Sequence, residues 1–116
     1  MPDSIDDLTL ALRRFAEARD WGRFHSPKNL ASALVVEAGE LLEPFQWLSE
    51  DDSRALSPEQ LQAVSDEMAD VLLYLVQLSS ALKVDLLAAA RAKLQRNALR
   101  YPVERSFGNA RKCDEI

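Results

Sequence analysis

Histidine, cysteine and glycine are nearly missing from this chain: one, one and three residues in 116. With His25 alone, and in a stretch that reads as a loop, no helix- or strand-borne base is on hand for a serine triad. A di-iron carboxylate bundle is disfavoured too, because it needs Glu-x-x-His on its helices. A lone cysteine, Cys113, cannot close a disulfide within the chain, which suits a reducing compartment. Three glycines leave no room for a Gly-rich phosphate loop. No apolar run approaches the length of about 20 residues that spans a bilayer. The opening Met1-Pro2-Asp3-Ser4 has neither the basic nor the apolar region of a signal peptide. A cytoplasmic setting is the expectation.

A net charge of −5 argues against a general nucleic-acid binder. The charge is unevenly spread. Residues 50–70 hold seven acids against Arg54, whereas residues 91–112 hold seven bases against Glu104. An acidic cradle with a basic arm could grip a metal-bound polyphosphate from both sides, although a basic arm is also what a solvated helix face looks like.

Helical periodicity dominates, and no strand alternation or repeat is found. Ser4 is placed to cap a first helix, with Asp6 and Asp7 where the helix dipole favours acids, and Ile5, Leu8, Leu12, Phe15 and Ala16 carry the stripe to about Arg19. Residues 20–25 read as an aromatic loop made pliable by Gly22. Ser26-Pro27 restarts a helix expected to run to Leu48, with a kink or break between Glu40 and Pro44. Residues 49–56 are polar and read as a loop. Ser57-Pro58-Glu59 opens a third helix, to about Leu82, that is apolar on nearly every side and so belongs in a centre or against another subunit. Asp85 caps a fourth, Leu86 to Arg100, which Tyr101-Pro102 ends. The expected fold is all-α: a single domain, residues 1–116, with four main helices in one compact bundle, and residues 1–3 and 103–116 irregular.

Two of these helices carry acids three residues apart, Glu37 with Glu40 and Glu67 with Asp70. Side chains at i and i+3 share a helix face, so each helix offers a carboxylate pair. The pairs stand among Leu34, Val35, Leu41, Met68, Val71 and Leu72. A carboxylate in an apolar stripe is costly unless compensated, and a divalent cation compensates strongly. Four carboxylates without sulfur or imidazole suit Mg²⁺, or Mn²⁺, before Zn²⁺.

The order of motifs carries a resemblance. Phe15-Ala-Glu-Ala-Arg-Asp-Trp21 is followed by Phe24-His25-x-Pro27-Lys28-Asn29-Leu30, then Val36-Glu37-Ala-Gly-Glu40-Leu41 and Phe45-Gln-Trp47. Glu67-x-x-Asp70-Val-Leu-x-Tyr74-Leu75, Val84-Asp-Leu86 and Lys93-x-x-x-Asn97-x-x-Arg100-Tyr-Pro102 complete it. Over residues 8–112 the chain resembles the MazG-like all-α nucleoside triphosphate pyrophosphohydrolases, and within them the branch that acts on dCTP. The resemblance implies hydrolysis of a nucleoside triphosphate to the monophosphate and pyrophosphate, with Glu37, Glu40, Glu67 and Asp70 as Mg²⁺ ligands. It implies that Trp21, His25, Trp47 and Tyr74 form the base and sugar pocket. Lys93, Asn97 and Arg100, with Lys28 and Asn29, would then meet phosphates or sugar, where Arg forks suit phosphate oxygens. It further implies a homo-oligomer, commonly a tetramer built from dimers.

The chain departs from the family pattern in two places. Val36 stands where another acid often precedes the first glutamate. Leu12 stands where the branch can carry a histidine near the base pocket. Two other functions compete with the pyrophosphatase: a different nucleotide or polyphosphate phosphohydrolase on the same carboxylates, or a non-catalytic helical module whose acids are only surface charge.

Overall fold

The computed structural model describes residues 4–116; the expectation of an irregular start at residues 1–3 lies outside the described residues. No strand is found among them, and the all-α expectation holds. The helices number six rather than four: α1 (Ile5–Ala18), α2 (Pro27–Leu42), α3 (Glu50–Ser53), α4 (Pro58–Ala81), α5 (Leu86–Arg100) and α6 (Val103–Ser106). The four long ones are those the sequence indicates, and α3 and α6 are single turns. Two 3-10 turns, Gly22–Phe24 and Cys113–Glu115, complete the elements.

Local chemistry explains where the long helices start. The hydroxyls of Ser4, Ser26 and Ser57 accept from the backbone N–H three residues on, at Asp7, Asn29 and Gln60. Asp85 does the same for Ala88. At Ser57 the cap is reciprocal, because the Gln60 amide oxygen accepts from the Ser57 N–H at 2.8 Å. Pro27 and Pro58 follow their serines at the position where a missing N–H costs nothing.

The helix ends are less expected. α2 stops at Leu42 rather than reaching Leu48, since Pro44 has no N–H to give and its ring crowds the preceding turn. Successive turns follow, with the Phe45 N–H donating to Leu42 O and the Leu48 N–H to Phe45 O, both at 2.9 Å. α1 and α4 end without glycine, in paired bonds of the Schellman type. Asp20 and Lys83 take left-handed φ values of 54° and 57°. The N–H groups of Trp21 and Val84 then reach back to Ala16 O and Ser79 O. Gly22 is therefore not the hinge of the aromatic loop; Asp20 makes the reversal, and Gly22 begins a 3-10 turn.

The chain divides into two compact units, one ending at Val84 and the other Asp85–Ile116. In the first, α2 packs extensively along α4, and α1 packs on α4 as well. Leu30 of α2 and Val64 and Val76 of α4 are its buried apolar side chains, with Val76 wholly enclosed. Arg13 of α1 clasps α4 by donating from Nε and Nη2 to Ser80 Oγ at 3.2 and 2.9 Å. In the second unit, α5 leads through Tyr101 into α6 and the final 3-10 turn, so the tail is not wholly irregular. There Arg100 Nη2 lies 3.0 Å from Cys113 Sγ. No single helix among the described residues is long and apolar enough to cross a membrane.

Candidate functional site

Packing of α2 on α4 brings the two carboxylate pairs together. One oxygen from each of Glu37, Glu67 and Asp70 lies within 4.8 Å of the others. Oxygens on opposite sides of one cation, at metal distances of 2.0–2.6 Å, stand about 4–5 Å apart, so the spacing suits a shared ion. Glu40 is close enough to exchange a hydrogen bond with either Glu37 or Glu67 when one partner holds a proton. Glu37, Glu67 and Asp70 therefore meet in one place, and the fourth acid named from the sequence, Glu40, acts on two of them.

Their electrostatics are unfavourable without a cation. Glu37 and Glu67 are half-buried, and Oε2 of each is fully enclosed with no hydrogen-bond partner. Such an orphaned acceptor is expensive to bury. Burial pushes the Glu37 carboxyl above its usual range, and the hydrogen bond and charge of Glu40, then the charges of Asp70 and Glu67, push the same way. Burial likewise raises Glu67, followed by the charges of Glu40 and Asp70. No basic side chain is among the groups shifting either acid. Oxygen-only donors, two of them unpaired and enclosed, fit a hard divalent cation.

The remaining residues named from the sequence fall into separate groups. Trp21 meets Phe15 edge-to-face at 5.6 Å and stands 6.4 Å from the His25 ring, so the aromatic loop folds back on α1. Asn29 pins this loop to α2, its Nδ2 donating to Phe24 O at 2.9 Å. Lys28, in the same first turn, is exposed. Tyr74 is half-buried on α4, one turn beyond Asp70. Trp47 lies in the turns after α2 and is 89% exposed. Lys93, Asn97 and Arg100 all stand on α5, in the second unit.

The first unit holds a cavity of about 340 Å³, within the range of small-molecule sites; of the residues named for a base and sugar pocket His25 is on its wall, and Trp21, Trp47 and Tyr74 are not. Leu12 and Arg13 of α1, His25, Leu30 of α2, and Gln77 and Ser80 of α4 are on its wall. A signal for it was present. Leu30 precedes Glu37 by seven residues and Gln77 follows Asp70 by seven, so each lies two turns along the acid-bearing face. Because α2 and α4 run antiparallel here, both steps lead to the same place.

A model of the MazG-like family matches residues 33–116 of the chain. The dCTP pyrophosphatase 1 proteins of Bos taurus and Homo sapiens are 41% and 39% identical to it over 115 residues, spanning 97% of this chain and 68% of theirs. A crystal structure of a pyrophosphatase from Archaeoglobus fulgidus is similar at a TM-score of 0.81 and 35% identity, covering 88% of this chain and 95% of that one. The chain belongs to the MazG-like family. Within it, the chain is an enzyme of the pyrophosphohydrolase class.

Proposed function

We propose that this nucleoside triphosphate pyrophosphohydrolase cleaves dCTP, or a related or modified pyrimidine deoxynucleotide, to the monophosphate and pyrophosphate in a Mg²⁺-dependent reaction. The observation that carries the reading is the group Glu37, Glu67 and Asp70, with enclosed and unpaired oxygens, in a MazG-like chain related to dCTP pyrophosphatases. Glu37, Glu40, Glu67 and Asp70 would hold the metal, with Mn²⁺ as the alternative ion. When bound, it offsets phosphate charge and lowers the pKa of an attacking water. A carboxylate of the four that the ion does not fully engage would orient that water and take its proton.

The same proposal gives Trp21, His25, Trp47 and Tyr74 the base and sugar. Stacking on a Trp face holds any base, so selectivity must come from polar groups and pocket size. Lys28, Asn29, Lys93, Asn97 and Arg100 are proposed for phosphate or sugar on the resemblance alone. The cytoplasmic setting is also part of this reading. It serves removal of unwanted or excess deoxynucleotides.

The active species is proposed to be a homo-oligomer, a tetramer built from dimers. Large apolar side chains on the acid-bearing helices support it: Val35, Val36, Leu61 and Met68 are each more than half exposed. Light scattering on the active protein is expected to give a multiple of the 13.0 kDa chain; a stable, fully active monomer would refute this part.

Pyrophosphate release from the common dNTPs and NTPs, with Mg²⁺ or with EDTA, tests the activity. The expected result is release only with metal, with dCTP at the head of the panel. Equal turnover in EDTA would reject the metal, and turnover of none would leave a non-catalytic helical module.

A further inference from the structure

The cavity beside the carboxylates holds polar groups that the proposed function has not used. Both acid-bearing helices reach it after seven residues, a rise of about 10 Å, which is on the order of the reach from the phosphates of a nucleotide to its base. Its wall is apolar at Leu12, Leu30 and Val76, and Thr9, Arg13, Glu17, His25, Gln77 and Ser80 are its polar members. An apolar slot with a few fixed polar groups is the build of a selective small-molecule pocket.

Gln77 is not free to present either end of its amide. Its Nε2 donates to Leu73 O at 3.2 Å, one turn back on α4, and turning the amide over would set two oxygens against each other. The amide oxygen has no protein partner among the described residues and remains an acceptor. Arg13 is similarly held. Two of its donors go to Ser80 Oγ, and the rest of its five N–H groups remain for a carbonyl. Of the polar groups on the wall, Gln77 is held as an acceptor and Arg13 as a donor by bonds within the protein.

We infer that Gln77 is a specificity-determining residue, its amide oxygen accepting from the exocyclic amine of the base, with Arg13 donating to a ring carbonyl. Cytosine carries both an amine and a carbonyl. Uracil and thymine put a carbonyl where the amine would be, facing the Gln77 oxygen, and adenine has no carbonyl for Arg13. Rejection arises because a mismatched base sets a carbonyl against the Gln77 oxygen or leaves that half-buried oxygen without a partner. The inference rests on the nucleotide activity proposed above.

Kinetics with dCTP and dUTP probe the contact, since the two bases differ only at that amine or carbonyl and at the adjoining ring N3, an acceptor in cytosine and a donor in uracil; comparing each variant with the wild type isolates the Gln77 part. The wild-type protein is expected to favour dCTP in kcat/KM by at least about 100-fold. In Gln77→Leu the ratio should fall to within about tenfold, mainly by loss on dCTP. Gln77→Glu keeps an acceptor for the amine but loses the bond to Leu73 O that holds it, so its ratio should lie between those of the wild type and Gln77→Leu. Gln77→Met serves as a second apolar variant should the leucine protein not fold, and the Mg²⁺-induced rise in melting temperature reports an intact metal site in each. An unchanged dCTP-to-dUTP ratio in the apolar variant overturns the assignment of Gln77 while leaving the pyrophosphatase reading standing. No turnover of any nucleotide by the wild-type protein overturns both.

Discussion

The double variant Glu37→Gln, Glu67→Gln is expected to lose at least about 1,000-fold in nucleotide turnover while remaining folded. The two residues contribute the enclosed, unpaired oxygens, and an amide is a far poorer ligand for a hard cation than a carboxylate. Folding should survive because the wild-type cluster is self-repulsive: the charges of Glu40 and Asp70 bear on both groups. Amide nitrogens in their place can donate to the Glu40 and Asp70 oxygens. Without metal, the variant should therefore melt no lower than the wild type by circular dichroism. It should also lose the rise in melting temperature that Mg²⁺ gives the wild type. Full activity in the double variant would refute the metal assignment.

The second large effect is a pH dependence that Mg²⁺ reverses. Glu37 and Glu67 both titrate above their usual value of 4.5 in the folded chain. From pH 4.5 upward to the raised values, the folded state then holds more protons than the unfolded chain. Their contribution to stability is present below that window, is lost as pH rises through it, and stays lost above. Metal needs the carboxylates without protons, so its stabilisation runs the other way, small near pH 4.5 and full at neutrality. Melts in EDTA should fall with rising pH across this window. Melts in saturating Mg²⁺ should separate upward from them, by about 5 °C or more at neutral pH. A Mg²⁺ shift of the same size at pH 4.5 and at neutrality would contradict the carboxylate centre.

Most of the helical frame was legible because its signals are local. Ser4, Ser26, Ser57 and Asp85 each cap the helix assigned to them, since a short polar side chain before an apolar stripe has one efficient use. The one-turn α3 carried the same signal. Ser49 accepts from the Asp52 N–H, and Glu50 and Asp51 sit in a first turn, yet a run of acids with no apolar stripe reads as loop. Nothing announced α6, whose preceding Pro102 has no side-chain cap to give. The reversals at Asp20 and Lys83 were hidden for another reason, because glycine is the usual occupant of that conformation.

The acids show the same division. Spacing alone pairs Glu37 with Glu40 and Glu67 with Asp70, because helix geometry fixes who shares a face. That the pairs meet is a property of α2 against α4. The cavity needs α1 too, and no periodicity in residues 5–18 says that Arg13 will reach Ser80. Local sequence thus names the ligands, while packing makes the site.

The most direct test is to identify the products of dCTP after incubation with the protein, separated by ion-exchange chromatography, with Mg²⁺ and with EDTA. Equal amounts of dCMP and pyrophosphate, formed only with Mg²⁺, are the expected result. Formation of dCDP and orthophosphate would contradict it and assign the same carboxylates to a different phosphate hydrolysis.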